Sequence, residues 1–331
     1  QAIINIYIID IMNITNKRNS LHAAFLTENE EIWPILTFTY MNFCTFVSYL
    51  IRSREDAMNQ ENGFRIDVDN ILKDKASKYY HRIPRFLINY LKRTLHQDDI
   101  NGILSRNRDV EGVEFMRALV DREFNIHLHI RGEENIPERG KFIFASNHPL
   151  GGLDGICLSA FLGKKYSGQI KYLVNDVLYF IDPLKPIFVP INKYGSQAKE
   201  SARTINEAYA SGNQIITFPA GLCSRKIKGK IIDLEWMKNF IIKSVEYQRD
   251  IIPVHFEGRN SNFFYNFANL RKASGIKFNI ELIWLPDEMF KNSHREFTIT
   301  FGKPIPWQTF DKSKTPQEWA QYVKDVVYTL K

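Results

Sequence analysis

From residue 126 onward short apolar runs alternate with helical patterns, and this alternation restricts the chain to few architectures. The apolar runs are Ile126–Ile130, Phe142–Ser146, Ile170–Val174, Ile187–Ile191, Ile215–Phe218, Ile252–Phe256, Asn279–Trp284 and Phe297–Phe301. Helical patterns lie at Asp154–Leu162, Gln197–Ala210, Leu234–Val245, Phe263–Lys272 and Pro316–Leu330. Runs this short read as strands, and strands separated by helices predict an α/β fold. The expected architecture is a mixed, largely parallel sheet flanked by helices over residues 126–331. A chain of 331 residues can bury a sizeable core in one large or two small domains.

Residues 64–125 read as a helical region close to a membrane, with helices expected at Val68–Tyr80, Pro84–Leu95 and Val113–Arg122. In the second, Pro84 suits a first helical position. Phe86, Leu87, Tyr90, Leu91 and Leu95 can share a face, with Arg85, Lys92 and Arg93 on its flank. Such a basic amphipathic helix can lie on an anionic membrane, or simply pack its apolar face on the domain. The charge is uneven. Residues 1–63 hold 4 Lys and Arg against 7 Asp and Glu, whereas the remainder holds 40 against 30 and carries +10. Acidic partners are therefore admitted: anionic lipid, phosphorylated cofactors or nucleic acid.

Residues 1–63 are expected to be an extension, and the start at Gln1 suggests a fragment, a processed form or a doubtful gene start. Within it, residues 32–51 are uncharged for 20 positions, about the length of a bilayer span. Arg52 and Arg54 follow, so a true span would place the body in the cytoplasm. Pro34, Asn42, Ser48 and three threonines dilute the signal. A membrane span, a poorly ordered extension and residues foreign to the natural protein all stay open. The segment makes a poor signal peptide, lacking a nearby basic region and a small-residue cleavage site. Cys44, Cys157 and Cys223 form no CxxC pair, which argues against a disulfide framework or zinc ribbon and for a reducing cytoplasm. No metal is implied, since the eight histidines are scattered without ligand spacing.

Three strand ends carry chemistry. The run Phe142–Ser146 leads directly into Asn147-His148, then Gly151, Gly152 and Asp154. Histidine is the side chain best suited to take a proton near neutrality, and a carboxylate on its second nitrogen would fix the tautomer. In a continuous helix residues six apart would lie about 240° apart, so His148 and Asp154 can meet only if the glycines turn the chain. The competing reading is a strand-end histidine beside an Asp that caps a helix. The second segment, Thr217 to Lys226, offers backbone N–H groups at Gly221 with Ser224 and Arg225 nearby, a potential anion cradle. Lys226, Lys228 and Lys230 read as a solvated basic loop. The third, Pro253 to Ser261, brings Glu257, Arg259 and Asn260 to a strand end, where open α/β sheets bind ligands. An internal Glu257–Arg259 pair is the plainer alternative.

Taken in order, these strand ends resemble the glycerophospholipid acyltransferases of the lysophosphatidate type, in their distant bacterial ornithine- and glycine-lipid branch. The resemblance covers roughly residues 126–304. The family's first motif, Asn-His then Asp, is matched by Asn147, His148 and Asp154, with five intervening residues where four are usual. Of the family's Phe-Pro-Glu-Gly-Thr-Arg-Ser motif, Phe218, Pro219, Gly221 and Ser224 remain; Ala220, Leu222 and Cys223 replace the rest. The second motif is matched only loosely between Lys171 and Asn192, and Ile251, Ile252 and Pro253 stand for the fourth. Residues 257–265, EGRNSNFFY, are similar to the aminolipid branch.

The resemblance implies an O-acyltransferase that moves a fatty acyl group from an acyl carrier protein or coenzyme A thioester to a lyso-lipid hydroxyl. It implies His148 as general base and Asp154 as its orienter, with Asn147, Gly221, Ser224, Arg225, Glu257, Arg259 and Lys171 binding substrate. The thioester is a co-substrate, and no further cofactor is expected. Cys157, in an apolar helix, reads as packing; Cys223 is less easily set aside as a nucleophile. Loss of the motif's Glu and Arg weakens a phosphate site, so an aminolipid acceptor is favoured over lysophosphatidate. The expected location is cytoplasmic, peripheral on the inner face of the cell membrane. The rival function is a non-catalytic membrane- or nucleic-acid-binding protein, though no nucleic-acid motif stands out and nucleic acid is not expected as a partner.

Overall fold

The computed structural model describes residues 65–75, 80–81, 83–175, 181–191, 198–276 and 279–330. The extension 1–63, with the candidate span at 32–51, lies outside the described residues, as do residues 76–79 of the first expected helix and Gln197 of a later one. Among the described residues no helix is long and apolar enough to cross a membrane.

Seven strands form one sheet: β1 (His127–Arg131), β2 (Phe142–Ser146), β3 (Ile170–Asn175), β4 (Phe188–Ile191), β5 (Gln214–Thr217), β8 (Asp250–Glu257) and β9 (Glu296–Phe301). Their order is β1-β9-β8-β2-β5-β3-β4. All neighbours are parallel except β8 and β9, so the sheet is mixed and largely parallel, as expected. Two further strands, β6 (Arg225–Ile227) and β7 (Lys230–Ile232), pair as a hairpin turned at Lys228-Gly229, where both residues have positive φ.

Residues alternate between the two faces of the sheet, and both faces are buried. Phe144, Ile216, Ile252, Val254 and Phe256 enter one core with α4 (Gly112–Ala118) and α5 (Leu153–Lys165). Ile143, Ala145, Ile215 and Ile251 enter the other, with α6 (Ala198–Ala210), α7 (Asn239–Tyr247) and α10 (Pro316–Thr329). Burial on both sides explains why these strands read as unbroken apolar runs. The core beneath α4 also takes Ile103, Phe115, Met116, Leu119 and Phe124, so packing runs without a break across residue 125.

The N-terminal helices are α1 (Val68–Lys75), α2 (Arg85–Thr94) and α3 (Gln97–Arg106). On α2, Ile88, Leu91 and Leu95 pack with Val68, Leu72 and Ile283. The proposed shared face therefore splits: most of it is covered by the protein itself, while Phe86 and Tyr90 point outward.

Two expected elements differ. Residues Asn279–Trp284 are not a strand but a 3-10 turn, Ile280–Trp284, leading into α9 (Leu285–Lys291). Pro286 starts that helix, and the turn sends Glu281 inward to meet two arginines. The helix expected from Leu234 starts only at Asn239. Residues before it are held irregular by Trp236 Nε1 donating to Asp233 Oδ2 at 2.8 Å and by Met237 N–H donating to Pro219 O at 2.9 Å. The turn after β8 enters α8 (Asn262–Ala273), capped by Ser261.

Candidate active site

The strands β8, β2 and β5 are adjacent and parallel at the centre of the sheet, so the three segments singled out by sequence leave it at the same edge. At the end of β2 the Asn147 carboxamide extends the ladder by one rung. Its Nδ2 donates to Phe256 O (3.0 Å) and its Oδ1 accepts from Phe256 N–H (2.7 Å). Asn147 is thereby spent on joining strands rather than aimed at a ligand.

One residue on, the chain turns. Gly151 adopts φ +77°, and a Cβ there would fall 2.9 Å from Cys223 Cβ, so glycine is required both by conformation and by the close approach of the second loop. The turn brings His148 Nδ1 to 3.0 Å from Asp154 Oδ2 despite the extra residue between them. Asp154 is fully buried. Its carboxylate also accepts from the N–H groups of Leu150 (2.9 Å), Gly151 (3.4 Å) and Gly155 (2.9 Å). The position that caps α5 is Gly152, so Asp154 is no ordinary cap: it binds the loop and the imidazole together.

The His148 side chain is 13% exposed. Burial alone would disfavour its charged form, but Asp154 and then Asp233 outweigh that, and the imidazole is raised above its ordinary 6.5. With Nδ1–H donated to Asp154, Nε2 is the nitrogen left for an acceptor hydroxyl. Phe218, from the second motif, lies against the ring at a centroid distance of 4.2 Å. A Cβ on Gly152 would meet nothing within 4 Å, so the turn faces open space there.

Sequence reasoning missed Asp233. It is buried, and its Oδ1 accepts from His148 N–H (3.2 Å) and from the Ser224 hydroxyl (2.6 Å). The Ser224 N–H in turn donates to His148 O at 2.8 Å. Burial raises the Asp233 carboxyl above its ordinary range, against the pull of these donors. Only its place between the hairpin and Trp236 marked it in the sequence.

Arg225 is buried and already engaged. Its Nη1 donates to Cys223 O and approaches Cys223 Sγ, both at 2.9 Å, and its Nη2 meets Glu281 Oε1 at 3.0 Å. Arg271 grips the same carboxylate from the other side at 2.7 Å. Arg225 thus braces the loop from behind, and like Ser224 it is not presented to a ligand. Burial pushes the Cys223 thiol up to about 11 and raises the Cys157 thiol well above its ordinary value, which disfavours the thiolate a nucleophile would need. Gly221, Glu257 and Arg259 lie exposed at loop and strand ends; Arg259 Nη2 donates to Asn262 Oδ1 rather than to Glu257. Lys171 is placed elsewhere. It is in register with Ile215 and so with Ile143, five residues before His148, roughly 16 Å along the strand direction, and donates to Pro186 O.

An imidazole with one nitrogen held by a buried carboxylate, at the open end of a central strand, can accept a proton from a hydroxyl. The family model described as Acyltransferase matches residues 70–331. A lyso-glycine lipid O-acyltransferase of Bacteroides thetaiotaomicron is 55% identical over 273 residues, covering 82% of this chain and all of that protein. One of the same name from Phocaeicola vulgatus is 54% identical, covering 82% and 98%. The crystal structure of a 1-acyl-sn-glycerophosphate acyltransferase from Thermotoga maritima is 16% identical, with a TM-score of 0.41 over 74% of this chain and 91% of that one. With the family model spanning most of its length and two relatives matched nearly end to end, the chain belongs to the acyltransferase family.

Proposed function

We propose that the enzyme transfers a fatty acyl group from an acyl carrier protein or coenzyme A thioester to the hydroxyl of a lyso-glycine lipid. His148 Nε2 removes the hydroxyl proton as the oxygen attacks the thioester carbonyl. The C–O bond forms, the C–S bond breaks, and the proton passes from the imidazolium to the leaving thiolate. Asp154 holds the ring and supports its positive charge. Leu150, Gly151 and Gly155 give their N–H groups to Asp154, so the Gly152 N–H is the candidate of this turn to receive the oxyanion. The observation that carries the acceptor class is the pair of relatives above half identity whose names specify it.

The site supports this choice. A dianionic phosphate needs charge-assisted donors. Arg225, the side chain that might have replaced the motif's missing arginine, is occupied by Glu281. Arg259 stays at the exposed end of β8, suited to the single carboxylate of a glycine head group. Attachment to the inner face of the cell membrane is peripheral on this reading. The test is competition between lyso-glycine lipid and lysophosphatidate at equal concentration, with products read by mass spectrometry. Preference for lysophosphatidate by about tenfold in kcat/KM, ~1.4 kcal/mol, would reject the aminolipid assignment.

A further inference from the structure

We infer that an aromatic ridge built from α2, the 280–284 turn and α8 is the face on which the enzyme rests against an anionic bilayer. This deepens the peripheral attachment proposed above and rests on it. Phe86 is 62% exposed and Phe263 42%, high values for phenylalanine. They are ends of one continuous surface. Tyr90 lies one turn from Phe86 and accepts a hydrogen bond from Trp284 Nε1 at 3.1 Å. The Trp284 ring meets Phe263 at 5.3 Å and Phe267 at 4.8 Å, and exposed Leu270 continues the stripe along α8. Three elements distant in sequence thus present Phe86, Tyr90 and Phe263 at the surface, linked by the half-buried rings of Trp284 and Phe267.

Charge selects the partner. The β6–β7 hairpin is tied to α8 by Asn269 Nδ2 donating to Lys226 O, and carries exposed Lys228 and Lys230 at its turn. Arg93 is exposed one turn beyond Tyr90 at the opposite end. Tyr and Trp favour the headgroup level, Phe and Leu the acyl boundary, and lysines the anionic surface. Position agrees as well. α8 begins immediately after the strand end that carries Arg259, and Tyr265 and Asn260 both reach Pro149, next to His148. A bilayer against this ridge would lie at the same edge of the sheet as the imidazole, so a lyso-lipid need not leave the membrane far to be acylated.

The test uses the full chain and vesicles of phosphatidylcholine with and without phosphatidylglycerol. Wild type is expected to sediment with the anionic vesicles and to release as salt rises. Phe86→Ser with Phe263→Ser should lower partitioning by about tenfold or more per ring. Lys228→Glu with Lys230→Glu should flatten the salt dependence. Circular dichroism and acylation of a micellar acceptor, both unchanged, show that the variants fold and work. Wild-type partitioning by the phenylalanine variant overturns the proposal and places the contact elsewhere, residues 32–51 included. A variant that loses self-association instead identifies a second copy as the occupant, and also overturns it. Failure of wild type to acylate any acceptor while still binding vesicles would count against the function and leave the surface standing.

A separate set of contacts assigns Asp233 as a positioning residue. It holds both motif loops, taking the His148 backbone N–H and the Ser224 hydroxyl on the same oxygen. Its other oxygen takes Trp236 Nε1. These three groups donate, and the titratable Tyr328 hydroxyl of α10, which accepts the Asp233 backbone N–H, also lies against the carboxylate, surroundings rich in donors as an ionised carboxylate requires. The charged groups facing His148 are Asp154 from α5, Asp233, and Arg225 from β6. Asp233→Asn keeps the shape and removes the charge. It should lower kcat with little change in acceptor KM and move the acid limb of the pH–rate profile to lower pH, while Asp233→Glu restores the limb. An acid limb that stays in place while kcat falls would reduce Asp233 to packing and overturn the assignment.

Discussion

Glu281→Gln tests the buried charge cluster behind the site. The Glu281 side chain is fully buried between Arg225 and Arg271, whose own side chains are 9% and 10% exposed. Its two oxygens take Arg225 Nη2 at 3.0 Å, Arg271 Nε at 2.7 Å and Arg271 Nη2 at 3.2 Å. Glutamine keeps the volume and one acceptor oxygen but leaves two guanidinium groups without their counter-charge. Arginine cannot escape by losing a proton. Breaking a buried pair by removing one partner costs about 3–5 kcal/mol, and the retained amide should hold the loss to about 3. Urea denaturation followed by circular dichroism would read this as a lower midpoint at unchanged slope. The triple change Arg225→Met, Glu281→Leu, Arg271→Met removes all three charges and should recover most of the loss. A single-variant loss below about 1 kcal/mol would refute the view that this carboxylate neutralises buried arginines.

His148→Ala should lower acyl transfer by about 10²–10⁴-fold at unchanged fold, measured as thioester turnover. Because His148 is held above 6.5, the neutral base is depleted below its folded pKa. The acid limb of kcat/KM should therefore lie above pH 6.5 and shift downward in Asp154→Asn. The same elevation stabilises the fold fully below the unfolded value of 6.5 and is lost as pH rises through the folded pKa, a trend that urea titrations across this range would show. Gly155→Ala would set a methyl 2.2 Å from the Tyr172 hydroxyl oxygen and should cost about 1–3 kcal/mol in thermal or urea unfolding. Arg259→Ala should raise KM for a lyso-glycine acceptor by about tenfold with little effect on fold, through loss of a charge-assisted grip on its carboxylate.

Much of the sheet was legible because its strands are buried on both faces, so Phe142–Ser146 and Ile252–Phe256 stand out as apolar without needing a partner to explain them. The His148–Asp154 segment was legible because its glycines interrupt two strong patterns. Asp233 and Glu281 were not. Each meets one partner far along the chain, His148 for Asp233 and Arg225 for Glu281, and Glu281 sits in an apolar run, Ile280 to Trp284, whose composition suits a strand equally well. Arg225 was read as a ligand group, and the sequence does not reveal that a buried glutamate 56 positions later engages it. Lys171 was misplaced because a loosely matched motif carries no information on which end of a strand a residue occupies.

The rung that Asn147 adds between β2 and β8 also has a kinetic side. The backbone around His148 is fastened to Asp233, 85 positions later, and Asn147 to Phe256, 109 later. Asp154 fixes the imidazole locally, but the loop carrying both is anchored to the sheet through partners late in the chain, and loops of this length close slowly relative to helix formation. A nascent chain whose synthesis has reached only β5 carries the histidine but lacks the frame that aims it. Partly made or clipped chains ending before β8, which lack the anchor of Asn147, are therefore expected to be inactive.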